Sequence, residues 1–157
     1  MGCYIAGVEI ADDGVADRLR VLPTRLINQV ALLGDRAAER ALEHTGSRRH
    51  HYALLTTLRE FGPASQAELG RRTHIDRSDI VAALNDLAAR GFIERTPDPA
   101  DRRRNIVTIT AAGADHLDDL DHRLDRAQDE LLAALTASER RTLVGLLTRV
   151  LDDHTSH

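Results

Sequence analysis

Between Gly91 and Thr110 the hydrophobic period of this 157-residue chain switches from the helical three-to-four to two, then switches back. Elsewhere the apolar residues recur at helical spacing, so one short β-hairpin is set into a helical chain. Phe92-Ile-Glu-Arg95 reads as its first strand and Ile106-Val-Thr-Ile109 as its second. Thr96 to Asn105, with Pro97 and Pro99, is the turn, and it carries Arg102, Arg103 and Arg104 in succession. A lone two-stranded hairpin cannot hold a core of its own. It must lean on the helices around it.

Those helices can be read from their stripes and caps. Residues 12–44 read as helix, restarted at Pro23, which a first turn tolerates; Leu26, Ile27, Val30, Leu33, Ala37 and Ala41 share a face. After Gly46-Ser47, Arg49 to Phe61 forms a second helix with Leu54, Leu55, Leu58 and Phe61 on one side, stopped by Gly62-Pro63. Ser65-Gln-Ala-Glu68 is a capping box in which the two side chains satisfy free amides of a new start. It opens a short helix from about Ser65 to Arg72. Asp76 is the expected cap of the next helix, with Ile80, Leu84 and Leu87 as its buried stripe and Gly91 at its left-handed end.

Downstream, Thr110 caps a long helix bearing Leu117, Leu120, Leu124, Ala127 and Leu131, the 3-4-3-4 seam of a helix packed on another. Thr136-Ala-Ser-Glu139, a second capping box, starts a final helix with Leu143, Leu146, Leu147, Val150 and Leu151. A short helix, a tight turn, a second helix and a hairpin make a winged helix-turn-helix. One helix of that motif fits the major groove of DNA, and a basic hairpin reaches the adjacent backbone or minor groove.

Charge looks unfavourable until it is partitioned. The chain holds 21 basic residues, all arginine, against 25 acids, for a net −4, which excludes a uniformly cationic surface. Residues 65–110 hold eight arginines against seven acids, a balance of +1 that leaves −5 for the remainder. Much of that deficit lies in the acidic stretch Asp115 to Glu130. The single Cys3 excludes a disulfide framework within the chain and a cysteine-based zinc site. Four aromatic residues, Tyr4, Tyr52, Phe61 and Phe92, are too few for base-stacking platforms. No apolar run approaches a membrane span, and the start MGCYIAGVEIADDG lacks a signal peptide's basic and apolar regions. A cytoplasmic protein is expected. No phosphate loop, nucleophile elbow, HExxH motif or loop-borne carboxylate pair points to an enzyme.

The stretch IDRSDIVAALNDLAARGFIERTPDPADRRRNIVTITAAG, residues 75–113, resembles the winged-helix core of the MarR family of bacterial transcription regulators. The resemblance rests on Asp76-Arg77-Ser78, Arg90-Gly91, Asp98-Pro99, Asp101-Arg102-Arg103, Val107-Thr108-Ile109-Thr110 and Gly113. The element order extends it over all but about the first 12 residues. It implies a mainly α fold with a small β-hairpin wing, flanked by N- and C-terminal dimerisation helices. The implied organisation is one domain over 1–157: helix region 12–46, DNA-binding lobe 47–110 and C-terminal helices 111–157. It further implies a homodimer on a palindromic operator, repressing until a small ligand, often aromatic or phenolic, releases it. Leu26, Val30, Leu117, Leu120, Leu124, Leu131, Leu143, Leu147 and Val150 are then the dimerisation residues.

In such a protein Arg102, Arg103 and Arg104 hold the wing to DNA, where a narrow A·T-rich minor groove suits arginine. Asp101 orders the wing, close enough to pair with Arg103. On the recognition helix, Arg77 and Ser78 reach phosphates or base edges, Asn85 an adenine edge, and Val81 or Ala82 a thymine methyl. Asp79 and Asp86 sit badly beside phosphates there. Arg71 and Arg72 are expected phosphate contacts.

The signal is less legible. His44, His51, Tyr52, Arg20 and Arg25 are candidate contacts for a small acidic ligand. The adjacent pair His50-His51 and the pair His116, His122 are poorly spaced for chelation, so no metal or cofactor is assigned. Cys3 precedes the first helix, where nothing lowers its pKa. His154 and His157 are read as an unordered end. A metal- or redox-sensing regulator, and a protein-binding scaffold with weak non-specific DNA binding, stand as the alternatives.

Overall fold

A computed structural model describes the backbone of residues 4–5 and 8–9 together with residues 14–155. The chain divides into two compact units, Met1–Arg36 and Ala37–His157. In the first, strand β1 (Tyr4–Ile5) pairs antiparallel with β2 (Val8–Glu9), elements that the sequence reading does not contain. Helix α1 (Asp17–Arg20) follows, and α2 (Pro23–Leu42) begins at the proline and runs on into the second unit. Leu26, Ile27, Val30, Leu32 and Leu33 are all exposed.

The second unit is built on helix α3 (Arg49–Phe61), whose Leu54, Leu55 and Leu58 are at most 1% exposed. Around it stand β3 (Ala64–Ser65), α4 (Gln66–Thr73), α5 (Arg77–Ala89), β4 (Ile93–Pro97), β5 (Asn105–Ile109), α6 (Ala111–Leu131) and α7 (Ala137–Thr155). One cluster joins the α3 leucines to Leu69, Ile80, Leu84, Leu87, Ile93, Val107, Leu117 and Leu120. The hairpin is therefore anchored through Ile93 and Val107, as a sheet too small to stand alone requires.

The caps position these elements. Ser65 Oγ accepts the Glu68 N–H at 3.3 Å and Thr110 Oγ1 accepts that of Gly113 at 3.0 Å. At the end of α5, Gly91 takes φ +75°; its N–H donates to Ala88 O (3.0 Å) and that of Phe92 to Leu87 O (2.9 Å). This is the paired-bond helix stop that glycine makes accessible. At Thr136 both arms of the second capping box form.

Several expectations change. The hairpin belongs to a three-stranded antiparallel sheet of order β3-β5-β4, with Ala64 opposite Val107. Strand β4 extends through Thr96 to Pro97, which faces Asn105. Asp76 occupies the N-cap of α5 without a side-chain capping bond, and Glu68 turns from the Ser65 amide to Arg72. Phe61 leaves the core at 55% exposure because the last turn of α3 runs past it, and the Arg72 guanidinium covers its ring at 4.2 Å.

Leu117 and Leu120, assigned to the dimer seam, are instead 1% and 0% exposed inside this unit, packed in the cluster around α3. Their spacing reports a buried face but not its partner. Leu124 also packs on the cluster, whereas Leu131 and Leu143 are half-buried and Leu147 and Val150 exposed. Leu120→Ala is therefore expected to cost the unit about 2–5 kcal/mol in urea unfolding while leaving subunit association intact. Dissociation without destabilisation would restore Leu120 to a seam.

Candidate nucleic-acid interface

Strand alternation puts Ile93 and Arg95 on one face of β4, with Arg95 directly opposite Val107 of β5. Ile93 enters the core, but two residues on the sheet has left it, and arginine can replace an apolar residue. Arg95 thus lines a groove of about 740 Å³ between the hairpin, α4 and the start of α5. Arg71, Arg77, Arg103 and Arg104 line it too, over a floor of Ile75, Ile80 and Val107, and no acidic side chain does. None of the five is in an ion pair among the described residues. Arg95 was not among the candidates; its place in phase with Ile93 is the signal that finds it.

The hairpin tip is ordered by two aspartates. Asp98 Oδ1 accepts the Ala100 N–H at 2.9 Å, and Asp101 Oδ1 that of Arg103 at 3.1 Å. Asp101 O accepts the Arg104 N–H, and Arg104 O that of Asp98, closing the turn. Asp101 thus orients the backbone of Arg103 rather than pairing with its guanidinium, as a side chain able to mimic a turn two residues on does. Arg102, Arg103 and Arg104 are all exposed. Arg104 Nη2 donates to Ser65 Oγ at 3.2 Å, tying the second strand's start to the cap of α4.

The outward face of α5 presents Arg77, Ser78, Val81, Ala82 and Asn85, all exposed. Asp86, itself exposed, is paired with Arg90 Nη1, 3.3 Å away, and lies 3.4 Å from His51 Nε2. Asp79 stays exposed, beside Arg48, Arg49 and His50 around a separate groove. Arg72, an expected phosphate contact, is bonded to Glu68 at 2.8 Å and stacked on Phe61.

Each candidate ligand contact has its own surroundings within its unit. His44 is 89% exposed, its Nε2 3.9 Å from Glu43 Oε1. His51 is buried, its Nδ1 accepting the Arg48 N–H at 2.9 Å to cap α3, and Tyr52 donates to Asp121 Oδ1 at 2.8 Å. Burial, then that bond, holds the tyrosine hydroxyl above its ordinary value. In the first unit Arg20 Nε donates to Val15 O and Arg25 Nη1 to Leu19 O. Of the histidine pairs, His116 stacks on Phe92 and His122 is exposed. No group of three metal-ligating side chains occurs among the described residues. His154 lies in the last turn of α7, correcting its assignment to an unordered end; Cys3 and His157 lie outside the described residues.

Burial, above all, holds His51 and His116 below the ordinary histidine value of 6.5; Asp86 opposes it at His51 and Arg90 adds to it at His116. Above 6.5 the folded and unfolded chains bind the same number of protons at these sites. Below it the unfolded chain takes up protons that the folded one resists, so stability falls with acid. Thermal unfolding followed by circular dichroism is expected to show a midpoint that is lower at pH 5.5 than at pH 7.5. An unchanged midpoint in the His51→Asn, His116→Gln double variant assigns the loss to these two groups.

A recognition-type helix and an arginine-lined hairpin on one helical lobe define a winged helix-turn-helix. The profile described as MarR family matches residues 45–104, a stretch that holds all five arginines of the groove. NicR of Pseudomonas putida, named an HTH-type transcriptional repressor, is 36% identical over 101 residues, and the chain spans 64% of its length. That match covers 64% of this chain. MarR of Escherichia coli K12, named a multiple antibiotic resistance protein, is 30% identical over 129 residues, 81% of this chain and 89% of that one. A mutant of E. coli MarR solved in complex with operator DNA superposes with TM-score 0.72 at 27% identity, over 87% of this chain and 99% of that one. PcaV of Streptomyces coelicolor, solved with its natural ligand, gives 0.73 at 27% identity, over 88% and 97%. The chain belongs to the MarR family. Among the described residues no helix is long and apolar enough to cross a membrane.

Proposed function

We propose that this protein is a homodimeric, sequence-specific DNA-binding regulator of transcription, a repressor released by a small aromatic or phenolic ligand, acting in the cytoplasm and not as an enzyme. The observation that carries this reading is the groove whose five arginines, Arg71, Arg77, Arg95, Arg103 and Arg104, face no acid. Guanidinium forks with no acidic partner, beside an α-helix whose outward face is small and polar, suit a phosphate backbone next to a major groove. Arg102 stands at the tip, where the minor groove would be met.

Self-association is supported by the apolar surface left on the flanking helices. Helix α7 buries no residue, and its Val144, Leu146, Leu147, Val150 and Leu151 are 41–64% exposed. A second copy of the same surface covers such a face without desolvating charge. Two copies of the chain, each read as one MarR-type domain, would then present two lobes, which the modest +1 of each DNA-facing segment requires. The Leu147→Glu, Val150→Glu variant is expected to sediment as a monomer at concentrations where the parent is a dimer. Equal masses would remove α7 from the interface.

The test of function is selection of duplexes from a random-sequence pool. A palindrome with half-sites about one helical turn apart is expected. Recovery of sequence-indifferent, salt-labile binding alone would favour the scaffold reading, which Asp79 motivates. For the effector, His44 keeps an exposed side chain, whereas His51 and Tyr52 are already bonded within the lobe. A thermal-shift screen with aromatic acids is expected to raise the midpoint, and a metal-only response would overturn the ligand class.

A further inference from the structure

Arg90, the residue after α5, is the hub of a network that ties the recognition helix to two others. Its Nη1 donates to Gly46 O at 2.9 Å and to Ser47 Oγ at 3.2 Å, and its Nη2 to Thr45 O at 2.8 Å. Gly46 takes φ +73°, and a Cβ there would stand 3.1 Å from Arg90 Nη2, so the approach depends on glycine. The guanidinium lies 4.7 Å over one side of the Phe92 ring, and His116 of α6 stacks on that ring at 4.3 Å and 13°. Ser47 Oγ closes the circuit, 2.8 Å from His116 Nε2.

The hydrogen bond at His51 requires a neutral imidazole, and a neutral His116 fits the bonds of Ser47. Ser47 Oγ already accepts from Arg90 and can give its single proton to the Nε2 of a neutral His116. At His51, Nδ1 accepts the Arg48 N–H and Nε2 faces Asp86, the same carboxylate that holds Arg90. A proton on His51 Nδ1 would oppose one N–H to another and free the start of α3. A proton on His116 would place a second cation beside the ring that already carries Arg90. The charged groups facing His51 are Asp86, Arg90, Arg48 and His50; those facing His116 are Arg90, Asp119 and Arg123. In each set the basic groups outnumber the carboxylates.

We propose that this network is a proton-operated latch on the recognition helix: with His51 and His116 neutral, Arg90 holds α5 against α3 and α6 in its DNA-binding position, and protonation releases it. The proposal rests on the DNA-binding reading and adds a regulation of it. Arg90 and the two histidines are positioning residues, since none lies on the outward face of α5.

The test is fluorescence anisotropy of a labelled duplex selected from a random pool at pH 7.5, titrated with the full chain from pH 8 to 5.5. The parent is expected to lose about tenfold in affinity across that range, a change of about 1.4 kcal/mol. The His51→Asn, His116→Gln variant keeps both acceptors and removes both titrations. It is expected to bind at pH 7.5 within about threefold of the parent, less than a 1 kcal/mol change, with a flat profile. Parallel profiles for parent and variant would overturn the latch while leaving DNA binding intact. Hydrogen exchange of the α5 amides in the free parent, corrected for intrinsic rates, tests the latch without DNA. Faster exchange at pH 5.5 in α5 and the 45–48 turn, ahead of the α3 core, supports it; uniform loss of protection across the lobe overturns it. Failure of every duplex at pH 7.5 would instead overturn the functional reading, and the exchange result would still decide the latch.

Discussion

Replacing Gly113 with alanine is expected to destabilise the winged lobe by about 3 kcal/mol or more, at the upper end of what overpacking costs. A Cβ at this position would stand 2.0 Å from the Phe92 carbonyl oxygen, 2.9 Å from its carbon and 3.0 Å from Ile109 Cγ1. The obstruction is mainly backbone, and that backbone is committed: Phe92 O accepts the Thr110 N–H at 3.1 Å. Thr110 Oγ1 in turn donates to Gly91 O at 2.7 Å and accepts from Gly113 N–H. The first turn of α6 is therefore seated directly on the turn that ends α5, and any shift that relieves the overlap opens both caps. Helix propensity alone would favour alanine by about 1 kcal/mol, so the sign of the measured change separates the two effects. Gly91 offers a contrast. Nothing lies within 4 Å of a Cβ there, but φ is +75°, so Gly91→Ala is expected to cost only about 1–2 kcal/mol from backbone conformation. Urea unfolding followed by circular dichroism measures both, and a Gly113→Ala variant as stable as the parent would refute the close approach.

Gly113 also shows what kind of information the sequence carried. Its place in the stretch that resembles the MarR core marked it, but its reason is a contact between two turns, which no periodicity contains. The hairpin was legible because a change of period is local. Its third strand was not, since Ala64 and Ser65 are too few to show alternation and are strand only through Val107 and Ile106. The seam Leu117, Leu120, Leu124 was legible as a buried face and misread as to what covers it, because spacing is a property of one helix and burial of two. His51 was drawn toward a ligand by residue type, whereas its position three residues after Arg48 makes it a cap. Asp101 and Asp86 were both placed correctly along the chain, but each has a partner that the linear reading did not supply. For Asp86 the partners are Arg90, one turn on, and His51, brought in by the packing of α3 on α5. Asp86 is thereby paired while still exposed, and Asp79 stays exposed as well.

Removing the arginines of the groove is expected to have the larger functional effect, and salt dependence is where it will be read. Each phosphate neutralised contributes about −0.9 to the slope of log affinity against log salt. In a dimer a single substitution removes two contacts, so Arg95→Ala is expected to flatten the slope by about 1.8 while leaving the preferred sequence unchanged. Arg71→Ala should do the same. Together, Arg71→Ala, Arg95→Ala and Arg103→Ala should flatten the slope by about 5.4, so that between 50 and 200 mM salt the variant loses about a thousandfold less affinity than the parent, the order expected for six lost contacts. Arg102→Ala has a different signature if the tip enters a minor groove: a weakened A·T preference at the flanks of the site, with a smaller change of slope. Arg72 is the internal control. Its guanidinium is already bonded to Glu68 and stacked on Phe61, so Arg72→Ala should leave the slope within about 0.5 of the parent, well below the change expected for one lost pair of contacts. The distinction depends on partners rather than on residue type: seven arginines lie within 71–104 outside the Arg90 latch, and the structure separates those with an acid from those without. An unchanged slope in the Arg71, Arg95, Arg103 variant would mean that DNA passes elsewhere on the lobe. A slope altered equally by Arg72→Ala would mean that the pair with Glu68 opens on binding.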